Sequence, residues 1–520
     1  MTRSQKACLA LLLALALTVY WWDIFNADIG TDEPTYTLNG HEYVKALLKG
    51  DFSYAAGLKI EHPPVSTWLY GLAFQLQRIP WPELHYYRAP KRLAGLMMVA
   101  AVMTVFLIGR RLFGAGQEGT WVALWASALL AFMPHVAAHA RVAGLAAPSI
   151  LFWSLSFYLT LRALEPGASS RWFILLGLIF GLAVGTRLSN GLILVAVVSS
   201  LALVRLRPSA RLGQPARLGP QARLVWPGWS APLLLWPLIG AALFVALWPW
   251  LWERPLEHLL HTLAHWDLFI DQGFHGWAGN MEYFLGQSVL PPWYYYLLYL
   301  GVTSPLPVLA GLLFWLAGFL GRVKTERLVL ALWLLVPLLL SAMTMKADGL
   351  RYIFHILAPL SLASAWGFSS LARWAAGQWQ WPFSRTALPL AVVSVGLSLW
   401  SVLSFWPYHL DYYNPLAGGS KRIQAQRLFR FGWWGEGVQA CVKYIQAQVP
   451  TGTKVGFYPR LSGKFSMLHP AYPLAPLEEA SFAVTHIDLD KPTAWQGWEL
   501  VFEERLKGAP LARVYRRRSP

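Results

Sequence analysis

The sequence is poor in charge and in cysteine. Asp, Glu, Lys and Arg make up 13% of the 520 residues, about half the share usual in a soluble protein. Intrinsic disorder needs low hydrophobicity, and collagen or coiled coil needs a strict periodicity; neither is present. The two cysteines, Cys8 and Cys441, are too few and too far apart for a disulfide framework or a thiolate metal cluster. Apolar residues are what the chain has in excess: 56% of the total, with 29 Trp, 21 Tyr and 26 Phe, and a mean hydropathy of +0.40. That is the composition of a chain dissolved mostly in lipid. The net charge of +17 is not a nucleic-acid signal, because the charges fall largely in short loops between apolar runs.

A membrane helix needs about 20 mostly apolar residues to cross about 30 Å of hydrocarbon. Eleven candidates lie near 7–22, 92–109, 120–138, 147–164, 171–186, 189–205, 231–250, 293–320, 327–345, 352–372 and 386–406. One helix over 171–205 would be about 52 Å long, so two short spans divided at Arg187-Leu188-Ser189-Asn190 are expected. The first run is preceded by Arg3 and Lys6, as in a signal peptide. It continues into Tyr20-Trp21-Trp22 with no small-residue cleavage site, and is read as a retained span. With the N-terminus in the cytoplasm, the inner loops carry 16 Lys and Arg against three acids, Glu118, Glu165 and Glu326. The outer loop 251–290 carries Glu253, Glu257, Asp267, Asp271 and Glu282 against one Arg. That asymmetry sets the N-terminus inside and the C-terminus outside. The inner loop 205–223 repeats Ala-Arg-Leu three times and reads as a linker.

Two segments are too polar for lipid. The first outer loop, 23–91, holds eight acids and six bases. The last 114 residues have soluble composition, with β-like runs at Lys454–Tyr458, Phe482–Ile487 and Ala512–Arg516 after a helix near 436–448. The expected organisation is therefore a transmembrane domain, 1–406, and a small outer-face α/β domain, 407–520. The fold class is an all-α polytopic membrane protein with amphipathic helices in its outer loops.

The first outer loop carries Asp28-Ile29-Gly30-Thr31-Asp32-Glu33-Pro34-Thr35-Tyr36. Proline favours the first helical turn and an acid the cap, so a helix should run from about Pro34 to Gly50, with Tyr36, Gly40, Tyr43 and Leu47 on one face. The plainest reading of Asp32 and Glu33 is a helix cap. Against it stand Glu61-His62-Pro63-Pro64 in the same loop and three arginines, Arg141, Arg187 and Arg351, at outer boundaries in apolar surroundings. Ionisable groups there are expensive and mark substrate paths. Arginines facing two carboxylates suit an anionic lipid headgroup beside a general base.

In this order these residues resemble the GT-C superfamily of membrane glycosyltransferases, and more closely the protein O-mannosyltransferase and aminoarabinose-transferase-like group that uses polyprenyl-phosphate sugars. The resemblance rests on Asp32-Glu33-x-x-Tyr36, His62-Pro63-Pro64, Ala140-Arg141, Gly185-Thr186-Arg187 (where the family often has Lys), Pro291-Pro292-Trp293-Tyr294-Tyr295 and Arg351-Tyr352, over about 20–360. The tail segment Tyr412-Tyr413-Asn414-Pro415-Leu416-Ala417-Gly418-Gly419 is similar to that of prokaryotic members. Family members often carry an acid five residues after the arginine matching Arg141, and here that position is Ala146. His135 and His139, spaced i and i+4, have a metal-compatible spacing but no accompanying carboxylate. His258, His261 and His265 read as a stripe on an amphipathic surface helix.

The resemblance implies an inverting transfer of sugar from a polyprenyl phosphate to an acceptor hydroxyl, on a protein, glycolipid or cell-wall polymer, at the outer face. Asp32 would be the base, with Glu33 supporting it or touching the acceptor. Arg141, Arg187 and Arg351 would hold the phosphate, with His62 and Tyr36 lining the substrate site. No cofactor is implied with certainty: the resembling mannosyltransferases work without metal, while other superfamily members use divalent cations. The competing readings are a polytopic transporter or flippase, for which no repeat symmetry is found, and an inactive envelope-assembly relative.

Overall fold

The computed structural model describes the chain except residues 25–26, 58–61, 78–86, 166, 207–229, 263–281, 322, 345–347, 459–467, 487–496 and 519–520. The Ala-Arg-Leu repeats past residue 206, Glu61, Asp267, Asp271 and His265 lie outside the described residues. Helix dominates. Apolar helices run over Arg3–Trp21, Arg88–Leu112, Gln117–Ala131, Ala146–Ala163, Arg171–Thr186, Leu192–Leu206, Ser230–Leu247, Tyr295–Thr303, Leu306–Ala317, Thr325–Thr344, Leu357–Trp379 and Phe383–Ser404.

Their ends follow backbone chemistry. Arg187 is extended, with φ −158° and ψ 130°, and breaks the 171–205 run where two spans were expected. Two expected spans are corrected. The 120–138 run stops at Ala131, and Pro134–His139 is a separate short helix. The 293–320 run is split at Ser304 and Pro305, both extended. In each case a proline lacks the N–H that would continue the previous helix.

By length and composition three of the described helices can cross a membrane: Arg3–Trp21, Arg88–Leu112 and Phe383–Ser404. Arg171–Thr186 and Leu306–Ala317 are among the shorter apolar ones. On Phe383–Ser404, Leu388, Val392, Val393, Leu397, Trp400 and Leu403 all face outward. Such a contiguous apolar face is unfavourable in water and is satisfied by lipid tails.

Two helices of the segment after the first span pack as a pair over the bundle. Glu33–Leu48 lies against Val65–Gln77, and Gly40 and Gly71 meet at the crossing, where a Cβ on either would strike the other's backbone. Tyr36, Gly40 and Tyr43 are buried on the expected face and Leu47 packs beside them.

The C-terminal sheet has four strands in the order Val455–Tyr458, Phe482–His486, Ala509–Arg517, Trp498–Leu506. The first pair is parallel and the others antiparallel. The strand 498–506 escaped the sequence reading because its charged residues interrupt any apolar run. Val438, Cys441, Val442 and Ile445 of helix Val438–Gln448 form a core with Val455, Val484 and Val514, to which Ile29, Phe74 and Tyr87 also contribute. Residues 407–437 do not belong to that core. Tyr412, Tyr413, Phe429, Phe431 and Trp433 are buried in the cluster of the helical body, which also takes in Leu506, Ala509 and Leu511 of the sheet. Polar residues between these aromatics hide their role in the sequence.

Candidate active site

Asp32 occupies the cap position of helix Glu33–Leu48 but does not cap it. Its backbone is already helical, with φ −88° and ψ −14°, and its side chain accepts no hydrogen bond from the helix. The carboxylate turns instead to Arg351, 319 residues away, whose Nη2 donates to Oδ2 at 2.8 Å. Among the described residues Oδ1 receives no hydrogen bond, and the Asp32 side chain is 37% exposed. A carboxylate with one oxygen anchored and one reachable has the form a proton acceptor needs.

Glu33 is turned the opposite way, since successive residues at a helix start project about 100° apart. It is fully buried. Its Oε2 accepts from the Gly30 amide at 2.6 Å and its Oε1 from the Ala143 amide at 2.7 Å. Lys91 Nζ lies 3.4 Å from Oε2, itself only 3% exposed, and also donates to the Asp28 carbonyl at 2.7 Å. Glu33 therefore locks the turn that presents Asp32, and its oxygens are taken up by the protein. Of the two roles expected for it, these contacts favour support of Asp32.

Arg351 sits in the turn between the Thr325–Thr344 and Leu357–Trp379 helices. Its Nη1 donates to Asp348 Oδ2 at 2.8 Å, and its carbonyl accepts from Arg187 Nη1 at 2.6 Å. Arg187 lies over the Tyr352 ring at 4.3 Å. Burial disfavours the charge of Arg351, but Asp32 and Asp348 outweigh it and hold the guanidinium well above its ordinary range. Arg187, buried without such partners, is shifted down. Tyr36 is pushed up by burial and then by Asp32, and so stays protonated. The His62 ring is 6.3 Å from that of Tyr36. The structure thus brings Asp32, Tyr36, His62, Arg187 and Arg351 together from four separate stretches of sequence.

Arg141 stands apart from this group. It is 4% exposed, donates to the Trp22 carbonyl at 2.5 Å, and lies over the Trp406 ring at 4.2 Å. Burial lowers it to about 10, against the charge of Asp23. It lines a neighbouring cavity of about 150 Å³ with Asp23, Asp28, His409, Trp434 and Glu436. Trp434 joins the two regions, being also 5.4 Å from the Arg351 guanidinium. Ala146 begins the helix that follows and is buried.

Sequence reasoning missed Asp348 and Arg430. Arg430 Nη1 donates to Asp348 Oδ1 at 3.1 Å and is 3.5 Å from Glu282. An acid three residues before an interfacial arginine was a usable signal; nothing near Arg430 was. Of the two histidine patterns, His139 and His258 make aromatic contacts. His139 rests edge-on against Phe354 at 4.5 Å and Trp434 at 5.3 Å, and His258 stacks on Trp250 at 3.9 Å. Among the described residues no group of three or more His, Cys, Asp or Glu is arranged to hold a metal ion.

The tail segment has a mechanical task. Asn414 Nδ2 donates to the carbonyls of Gly301 and Ser304 at 2.7 and 2.9 Å, and its amide donates to Val302 at 2.8 Å. These are the carbonyls left open where Tyr295–Thr303 ends.

Residues 61–215 match the dolichyl-phosphate-mannose-protein mannosyltransferase family. The whole chain superposes on ArnT of Cupriavidus metallidurans bound to undecaprenyl phosphate, with TM-score 0.51 and 13% identity over 97% of each chain. The apo form of that protein gives TM-score 0.51 and 12% identity over 98% of each. The fold is that of the GT-C glycosyltransferases. The archaeal oligosaccharyltransferase AglB of Archaeoglobus fulgidus, solved with an inhibitory peptide and a dolichol-phosphate, shares this GT-C fold at TM-score 0.50 and 12% identity, over 98% of this chain and 74% of AglB. No curated protein matches the chain by sequence.

Proposed function

We propose that this chain is an inverting membrane glycosyltransferase that moves a sugar from a polyprenyl phosphate to an acceptor hydroxyl. One observation carries the reading: Asp32 makes no capping bond and turns to Arg351, with its other oxygen unbonded among the described residues. The acceptor oxygen attacks C1 of the sugar and gives its proton to Asp32 Oδ1. The C1–O bond to phosphate breaks, and polyprenyl phosphate departs with the electron pair. Arg351 and Arg187 stabilise the charge that grows on the phosphate. Tyr36 and His62 line the site, and Arg141 meets a more distant part of a substrate in the adjoining cavity. Glu33 acts only by fixing the turn at Asp32. ArnT, with the same fold, binds undecaprenyl phosphate, which supports a lipid of that class here.

The reading includes eleven spans, a cytoplasmic N-terminus, and an outward-facing C-terminal domain, 407–520, in the cell membrane. The site then lies at the outer interface, a placement that the charge asymmetry of the loops supports. The acceptor is a hydroxyl-bearing protein, glycolipid or cell-wall polymer. The test is incubation of the purified chain with labelled undecaprenyl-phosphate mannose and undecaprenyl-phosphate aminoarabinose, in the presence of envelope extract. Release of undecaprenyl phosphate with label in a new product is expected. Binding without release would mean a carrier or an inactive relative.

A further inference from the structure

We propose that Asp348, braced by Arg430, is a positioning residue that stops Arg351 from closing on Asp32 with both of its prongs. The inference rests on the transferase reading above, in which Asp32 accepts the proton and Arg351 receives the phosphate.

A guanidinium facing a single carboxylate favours a two-pronged pair. A carboxylate gripped in that way is a poor proton acceptor. In this structure the fork of Arg351 is divided. Nη1 goes to Asp348 at 2.8 Å and Nη2 to Asp32 at 2.8 Å. The division holds only if Asp348 stays in place, and contacts from distant segments to Asp348, to Arg430 and to Gly349 keep it there. Arg430 Nη1 donates to its other oxygen at 3.1 Å. Arg430 lies over Trp433 at 5.0 Å, and its carbonyl accepts from the Tyr413 hydroxyl. The next residue, Gly349, has a φ of +56° and lies so close under Trp433 that a Cβ would collide with the indole; its amide donates to the Tyr295 hydroxyl at 2.8 Å. The segment that joins the helical body to the C-terminal sheet therefore sets the direction of Arg351.

The charges give this arrangement a signature. Asp32, Asp348 and Glu282 pair with Arg351 and Arg430, and Arg187 joins the group through the Arg351 carbonyl, so that three carboxylates and three guanidiniums are connected. A phosphate entering the group makes it net negative. Asp348 thus weakens phosphate binding while it frees the base. A residue needed only for folding would weaken binding and turnover together.

The test uses the full-length chain in detergent, with undecaprenyl phosphate as the binding probe and a labelled undecaprenyl-phosphate sugar for turnover. Asp348→Asn should tighten undecaprenyl phosphate, and lower KM for the donor, by about three- to tenfold. Its kcat should fall by about tenfold or more, since Arg351 then closes on Asp32. Asp348→Glu should restore part of kcat. Weaker binding together with lower kcat, or no change in either, would overturn the proposal. If the wild type binds undecaprenyl phosphate but transfers no sugar, the transferase reading falls; absence of tightening in Asp348→Asn then overturns the clamp separately. A wild type that does not bind undecaprenyl phosphate overturns both.

Discussion

Glu33→Gln should destabilise the protein rather than merely slow it. The side chain is fully buried and serves two amides, at 2.6 Å from Gly30 and 2.7 Å from Ala143. A glutamine offers one acceptor oxygen and sets an NH2 group against the second amide. The loss of one charge-assisted hydrogen bond costs about 1.5–3 kcal/mol. Lys91, 3% exposed and 3.4 Å away, then keeps a buried charge with no carboxylate beside it. Breaking a buried pair from one side costs about 3–5 kcal/mol, and that figure already contains the hydrogen-bond loss. The expected destabilisation is therefore about 3–5 kcal/mol, a large part of the 5–15 kcal/mol typical of folded proteins. Thermal unfolding of the purified protein in detergent reads it. Adding Lys91→Met should recover part of the loss, because the uncompensated ammonium is gone. A Glu33→Gln protein that unfolds at the wild-type temperature would refute the reasoning and return Glu33 to the candidates for direct chemistry.

Three other outcomes are expected. Arg351→Ala should weaken undecaprenyl phosphate binding by at least about tenfold, and Arg351→Lys should recover only part, since lysine cannot serve two carboxylates with a planar fork; equilibrium binding decides. Asn414→Ala leaves the carbonyls of Gly301 and Ser304 without their donor and should cost about 1–3 kcal/mol in thermal unfolding, whereas a silent variant would mean that the tail segment does not brace the break at Pro305. Cysteine labelling from outside intact cells should reach residue 500 and fail at residue 324, as the basic inner loops require; the reverse pattern would place the site on the cytoplasmic face.

Much of this was legible from sequence where the solvent imposes a pattern. Lipid demands apolar helices, so helices were found along the expected runs, two of which are broken before Pro134 and at Pro305, and Arg187 and Arg351 stood out because charge is costly there. Asp32 and Glu33 were inseparable in the sequence as neighbouring acids. Only the rotation along the helix start sends one to Arg351 and the other to Lys91. Arg141 looked equivalent to Arg187 and Arg351 by hydropathy, yet its contacts with Trp22 and Trp406 put it in the adjoining cavity. The Asp348–Arg430 pair was illegible because 82 residues separate its members. Residues 407–437 read as soluble by composition although their aromatics are buried in the helical body.

The central claim is that the Asp32 carboxylate accepts the acceptor's proton, and Asp32→Asn tests it most directly. The substitution keeps size, and no helix-capping bond is lost because none is made. The measurement is single-turnover sugar transfer at saturating donor, paired with undecaprenyl phosphate binding to the same preparation. The account predicts that transfer falls by about 10²–10⁴-fold, while binding is retained or tightened because Arg351 is released from Asp32. Transfer close to the wild-type rate, with binding intact, would contradict it.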